Sequence, residues 1–353
     1  MILDLQYTSM TSPYNKLLNF FTVFLVVCTF CLIIAGGLVT STDSGLSVPD
    51  WPLSYGKLMP PMVGGIFFEH GHRMVATFVG FLTVVLLVLV YRKEPRRWLR
   101  RLAIVALLAV ITQGLLGGLT VLYMLPTWIS VSHATLAQTF FAIVSSIALF
   151  QTSWWQRGDL QPMQSERGKS VFSLGVVTVG AIYVQLILGA LMRHTGSGLA
   201  VPDFPLAYGQ LFPSLSSGAV DQYNAVLIAD NIRLAADGPV TAGQITIHLL
   251  HRFWAVLTAL LVIVYAVRVA RSSTGGRGLL LPAGALLVLI PAQIALGAFT
   301  VLSRKAVDIT TVHVATGALI LVTTVVTTLM VYRLTPHPRT EPAESMAVKE
   351  AIA

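Results

Sequence analysis

Glu69, His70, Gly71, His72 and Arg73 place a carboxylic acid, two imidazoles and a guanidinium at the start of an apolar run. Glu69 and His72 are three apart, so on a helix they share one face and can address a single ligand. A carboxylate can take a proton or stabilise developing positive charge, an imidazole can ligate a metal, and a guanidinium binds anions. Ionisable groups beside a long apolar segment are costly to keep, which marks them as site candidates. Three more positions are comparable: His133, the pair His251 and Arg252, and His313.

The elements that must position these residues are membrane helices. Of the 353 residues, 55% are hydrophobic and 11% charged, and the mean hydropathy is +0.77. Eight apolar stretches reach about 20 residues, enough to cross a bilayer as helices. They lie near 17–39, 70–91, 102–124, 130–151, 170–192, 245–267, 279–302 and 309–332. The fold class is therefore all-α, a polytopic membrane protein with eight transmembrane helices. The first stretch is too long for a signal-sequence core and lacks a small-residue cleavage site, so it is read as a retained helix.

With the N-terminus in the cytoplasm, 16 of the 23 Lys and Arg residues fall in cytoplasmic segments. That excess places both termini, including the C-terminal tail, on the inner side of a bacterial-type cell membrane. The net charge of +8 and the pI near 9.7 follow from this topology and from contact with anionic membrane lipid, and imply no nucleic-acid partner. Cys28 and Cys31 are read as buried small hydrophobes of the first helix, with no disulfide implied.

The chain repeats itself. Residues 44–56 recur as 197–209, with Asp50 matched by Asp203 (203 − 50 = 153) and Tyr55 by Tyr208. His72 and Arg73 recur as His251 and Arg252 (251 − 72 = 179), and His133 recurs as His313 (313 − 133 = 180). Gln113 and Gly117 recur as Gln293 and Gly297 at that same offset. The step from 153 to 179 implies an insertion of 26 residues in the second outer loop, around 214–240. Two tandem pseudo-symmetric four-helix bundles follow, residues 1–160 and 161–353, related as parallel repeats and joined by a polar linker at 156–169.

The four matched histidines lie at one depth, near the outer ends of the even-numbered helices. One imidazole on each face of a porphyrin saturates its iron, so bis-histidine haem binding accounts for all four. Zinc is poorly served by two histidines with no cysteine partner. Arg73 and Arg252 suit haem propionates, or snorkel to headgroups. Gln113 and Gln293 bond the outer loop, a ligand's surroundings or a neighbouring helix, while Gly117 and Gly297 permit close packing against a macrocycle or a helix. The repeated loop is expected to fold over the bundle mouth, with Trp51, Tyr55, Phe204 and Tyr208 at the interface. His70, His194 and His337 have no matched partner and receive no role.

The order Glu-x-x-His-Arg, His, His-Arg and His, with the repeated Gly-Leu-x-Val-Pro-Asp loop, resembles the haem A synthase family over essentially all eight helices. The resemblance implies oxidation of a methyl group of haem O to the formyl of haem A by successive water-derived hydroxylations. It implies that Glu69 is the essential acid, that His72 and His133 hold the substrate haem, and that His251 and His313 hold haem B. Haem O synthase and terminal oxidase assembly factors would then be partners, and a homo-oligomer is compatible. The first outer loop lacks the cysteine pair that some family members carry, which puts any mechanism needing that pair in doubt here. Glu69 also breaks the repeat, because His248 stands at its position in the second half. A di-haem b-type electron carrier exchanging electrons with quinone would use the same histidines without Glu69. A transporter built on parallel repeats fits less well, because the polar residues cluster near the outer ends.

Overall fold

The computed structural model describes residues 14–156, 160–232, 238–272 and 277–336; part of the expected linker, His337 and the C-terminal tail lie outside them. Among the described residues the chain is helical, with only two isolated bridges in the loops. Eight helices are long and apolar enough to cross a membrane. They are α1 (Lys16–Ser41), α2 (Gly64–Lys93), α3 (Arg97–Leu122), α4 (Thr127–Gln151), α5 (Ser165–His194), α6 (Ala242–Ser272), α7 (Arg277–Leu302) and α8 (Val307–Leu334).

Local chemistry sets the ends. Asn15 caps α1 by accepting the Leu18 N–H at 3.0 Å. Glu94 precedes Pro95, which forces it into extended geometry (φ −109, ψ 116) and stops α2. Helices α3 and α4 are joined by Met124 and Leu125 at φ 59 and 58, and α7 and α8 by Arg304 and Lys305 at φ 56 and 66. In both turns the second residue returns a hydrogen bond, Leu125 to the Thr120 carbonyl and Lys305 to the Thr300 carbonyl. Several helices start a turn or two before their apolar stretch, because no helix breaker intervenes.

Helices α1 to α4 contact one another in a ring, as do α5 to α8, and the rings meet through α1, α4, α5 and α8. In α4 and α8, 56% and 61% of the most apolar stretch is buried, against 17–33% in the other six, so these two form the centre. Gly175 lets α5 approach α8, since a Cβ there would stand 2.5 Å from Thr328 Oγ1. One continuous apolar cluster runs through both rings rather than a separate core in each, from Leu18 and Leu86 to Tyr265 and Leu321. The described part of the linker is anchored at one point: Met163 is buried and its N–H bonds the Leu334 carbonyl at 2.9 Å. Both cysteines are free, Cys28 half-buried and Cys31 exposed. Burial of Cys31 is thus corrected: α1 is apolar all round, and such a helix does not reveal which face meets the core.

The long connections, 42–63 and the described parts 195–232 and 238–241, lie at one end of the helices. The insertion around 214–240 contains a helix, Ser217–Ala229, which buries Tyr223 and Leu227 against Ala200, Val201, Ala207 and Ile245. Tyr223 stacks on Tyr208 with ring centroids 3.8 Å apart. Asn224 pins the strap by pairing with the N–H and carbonyl of Val240 at 2.6 and 3.0 Å.

Candidate functional site

All four matched histidines lie at the long-loop end, eight, six, nine and six residues into α2, α4, α6 and α8 (72 − 64, 133 − 127, 251 − 242, 313 − 307). Each ring lies against a glycine of the preceding helix. A Cβ would stand 3.2 Å from His72 Cε1 at Gly36, 3.1 Å from His133 Cε1 at Gly117, 3.0 Å from His251 Cε1 at Gly189 and 3.1 Å from His313 Cε1 at Gly297. Each imidazole also lies beside the main chain of the residue four before its glycine: Leu32, Gln113, Gln185 and Gln293. Within each half the two rings are close enough to interact electrostatically, His72 with His133 and His251 with His313. Nδ1 of His72, His133 and His313 is buried with no hydrogen-bond partner.

Gly36 and Gly189 were missed by sequence reasoning, although they obey the same offset as the loops (189 − 36 = 153). The contact gives a sharp expectation. Gly189→Val should displace the His251 ring and lower the haem content of the purified protein several-fold, read from the low-spin absorption bands. Gly180→Val, on the same helix but with open space around its Cβ, should leave those bands unchanged.

Of the glutamines, Gln113 donates to the His133 carbonyl at 2.9 Å, a helix-to-helix bond. Gln185, which has Leu32 at the matching place, sets its amide nitrogen 3.2 Å from both ring nitrogens of His251. The carbonyl oxygens of Gln113, Gln185 and Gln293 are buried without a partner.

Both repeated loops are built alike and fold over the bundle mouth. Asp50 accepts the N–H groups of Tyr55 and Gly56 at 2.6 and 2.8 Å, and Asp203 those of Tyr208 and Gly209 at 2.8 and 2.9 Å. Two successive residues at positive φ close each turn, Tyr55 and Gly56 at 53 and 67, Tyr208 and Gly209 at 53 and 72. The tyrosine hydroxyls bond back to the Ser47 and Ala200 carbonyls at 2.7 and 2.6 Å. The Trp51 ring lies on Gly118 of α3.

The Gly56 N–H, with that of Tyr55 and the charge of Arg73, holds the Asp50 carboxyl below the usual carboxylate range. A lowered folded-state value means that this contribution is complete above the unfolded value and is lost as pH falls through the folded one. The first loop should therefore stay closed through the ordinary carboxylate range and loosen only below it. Hydrogen exchange of the peptides covering 50–57 checks this, and Asp50→Asn should raise exchange there at neutral pH.

Arg73 and Arg252 were expected at haem propionates or at lipid headgroups. The structure turns both guanidiniums onto the loops. Arg73 donates to the carbonyls of Asp50, Leu53 and Val48 at 2.8, 3.0 and 3.2 Å, and to Glu69 Oε1 at 2.6 Å. Arg252 donates to the carbonyls of Leu206, Val201 and Asp203 at 3.0, 3.2 and 2.7 Å. The reason is local: a loop without regular structure exposes carbonyls at a helix mouth, and a guanidinium there gathers several at once.

What differs between the halves is the partner beside each arginine. Glu69 is 4% exposed and uses both oxygens, Oε1 toward Arg73 and Oε2 accepting the Val48 N–H at 2.8 Å. In its place His248, 1% exposed, faces the Ser197 carbonyl through Nδ1 at 2.9 Å and receives the Arg252 Nε–H on Nε2 at 2.9 Å. Nε2 must accept, so the proton sits on Nδ1 and the ring is neutral. The first mouth thus holds a neutral ion pair, and the second an arginine beside a neutral imidazole. His70 also differs: its Nδ1 lies 2.8 Å from Ser54 Oγ, where the second half has Leu249 and Ala207.

The COX15-CtaA family model, described as cytochrome oxidase assembly protein, matches residues 19–65 and 62–326. The chain belongs to this family. Among its relatives are proteins named haem A synthase. That of Symbiobacterium thermophilum is 36% identical over 51% of this chain and 60% of its own length. That of Halalkalibacterium halodurans is 29% identical over 80% and 86%, and that of a Caulobacter species 27% identical over 84% and 91%.

As a COX15-CtaA protein the chain can be asked whether its residues fit a haem. They do: each half brings two imidazoles near one another, each on a glycine that leaves the ring room, and His72, His133 and His313 keep a buried nitrogen without a partner. Among the described residues no three His, Cys, Asp or Glu side chains gather as a metal site, so a metal carried in a macrocycle suits these pairs better than a bare ion.

Proposed function

We propose that the chain is a haem A synthase, which oxidises a methyl group of haem O to the formyl of haem A. The observation that carries this is the one-sided carboxylate: two mouths built alike, of which only the first holds an acid, Glu69. Its membership of the family and the names of its relatives agree. An electron carrier with two equivalent haems leaves that difference without a purpose.

The two rings are a tandem duplication with divided labour. His72 and His133 hold haem O as substrate, and His251 and His313 hold haem B. Haem B, when bound, supplies a one-electron acceptor beside the reacting half. One methyl group and one water give one formyl group, four protons and four electrons, in two hydroxylations and the loss of a water, the electrons leaving one at a time through the second half to an acceptor outside the chain. Removing electrons from the methyl builds positive charge beside the ring. Glu69, oriented by the Val48 N–H and by Arg73, supplies the fixed negative charge that stabilises it. Both oxygens of Glu69 are already engaged, one by Arg73 and one by the Val48 N–H, so its main task is electrostatic. Charge asymmetry along the sequence supports an orientation with the long-loop end on the outer side of a cell membrane and both termini inside. Haem O synthase would supply the substrate, and a terminal oxidase would take the product.

The test is extraction of the bound haems from purified protein, followed by mass analysis. Haem B together with haem O or haem A supports the reading. Haem B alone, filling both halves, overturns it in favour of the carrier.

A further inference from the structure

Three arginines stand at the long-loop end of spanning helices, and two of them are largely spent on loop carbonyls. The third, Arg193, lies in the last turn of α5 and is half-buried, and its guanidinium makes no hydrogen bond or ion pair with any described residue. Leaving a partly desolvated guanidinium with unmade donors is costly unless a ligand supplies acceptors.

Its surroundings belong to the first half. Asp43, just past the end of α1, is near enough to interact with it electrostatically. The adjacent His194 interacts with Arg193 on one side and with His133 on the other. The end of α5 is docked there by Thr127, at the start of α4, whose hydroxyl donates to the His194 carbonyl at 3.4 Å.

The reciprocal contact is different. By the loop offset, Arg193 and His194 match Thr40 and Ser41 of α1 (193 − 153, 194 − 153). Thr40 bonds back to its own helix, at the Gly36 and Gly37 carbonyls, and Ser41 meets Thr311 of α8 at 3.3 Å. Each half reaches across to the other, but only the second delivers a cation.

We infer that Arg193, with His194 beside it, binds the carboxylates of the porphyrin held by His72 and His133. This rests on the reading that the first half holds a haem. A porphyrin gripped by its iron still needs its rotation about the imidazole axis fixed, and a guanidinium fork on a propionate does that. The substrate half is then completed by a residue of the other half.

The test uses the purified full chain, titrated with haemin and with haemin dimethyl ester, whose propionates are uncharged. Uptake beyond the resident haem is followed by the low-spin absorption. The wild type should prefer haemin by about tenfold or more, the size of one charge-assisted hydrogen bond. Arg193→Gln should lose that preference with its affinity for the diester unchanged, and Arg193→Lys should keep part of it. A glutamine variant that retains the full preference overturns the inference. So does one that loses haemin, diester and resident haem together, because that marks a structural residue. A wild type that takes up neither compound brings down the first-half haem site, and this inference with it.

Discussion

Glu69→Gln should cut haem A formation about a hundredfold while haem still binds, the loss expected when one well-placed electrostatic group, worth roughly 3 kcal/mol, is removed from a reacting centre. The structure sharpens why. Glu69 accepts twice, from the Val48 N–H and from Arg73. A glutamine has one acceptor oxygen and must turn its NH2 toward one of those donors, so the pair with Arg73 or the tie to the loop fails. His248→Gln is the opposite case. His248 is a neutral group that faces the Ser197 carbonyl as a donor and accepts from Arg252, and glutamine can do both. The first variant should accumulate haem O or its alcohol, and the second should retain most of the activity. Quantifying haems O and A in membranes from the two strains checks this, and equal losses would sink the division of labour.

Replacing His251 or His313 by alanine should remove the resident haem outright. On the proposed function each ring would supply one of the two nitrogens that hold this haem, and no other His, Cys, Asp or Glu joins them to form a three-ligand site among the described residues. His313 lies on α8, one of the two most buried helices, whose packing rests on many residues besides this one. The variant should therefore still reach the membrane while losing one low-spin bis-histidine signal. His72→Ala and His133→Ala should leave that signal and lose the uptake of a second haem. Optical and electron-spin spectra of the four purified variants give the measurement, and full haem B content in His251→Ala or His313→Ala would contradict it.

Much of this was legible in the chain. The four histidines and the two loops stand out because duplication writes each of them twice, and the shift from 153 to 179 between matched residues marks where the helix Ser217–Ala229 sits. The eight helices are legible because a bilayer demands length and apolarity and little else. The partners of Arg73 and Arg252 were not. A sequence says that a guanidinium stands at a helix mouth but not whether carbonyls or a ligand will meet it. The Val48 tie to Glu69 joins residues 21 apart through a turn closed by Asp50, and neither end announces it. Gly36 and Gly189 were there to be found at the repeat offset, but a glycine in an apolar helix has many ordinary reasons to exist. Arg193 and His194 have no counterpart in the first half, so the repeat logic that found the histidines passed over them.

As proposed, this chain turns haem O into haem A with one half as reactor and the other as electron relay. The most direct measurement is to express it in a cell that makes haem O but no haem A, and to identify the haems extracted from the membranes. Cells with the wild-type chain should contain a haem carrying a formyl group, and cells with Glu69→Gln should contain haem O with little or none of it. Haem O alone in both, with the wild-type protein fully loaded with haem B, would contradict it.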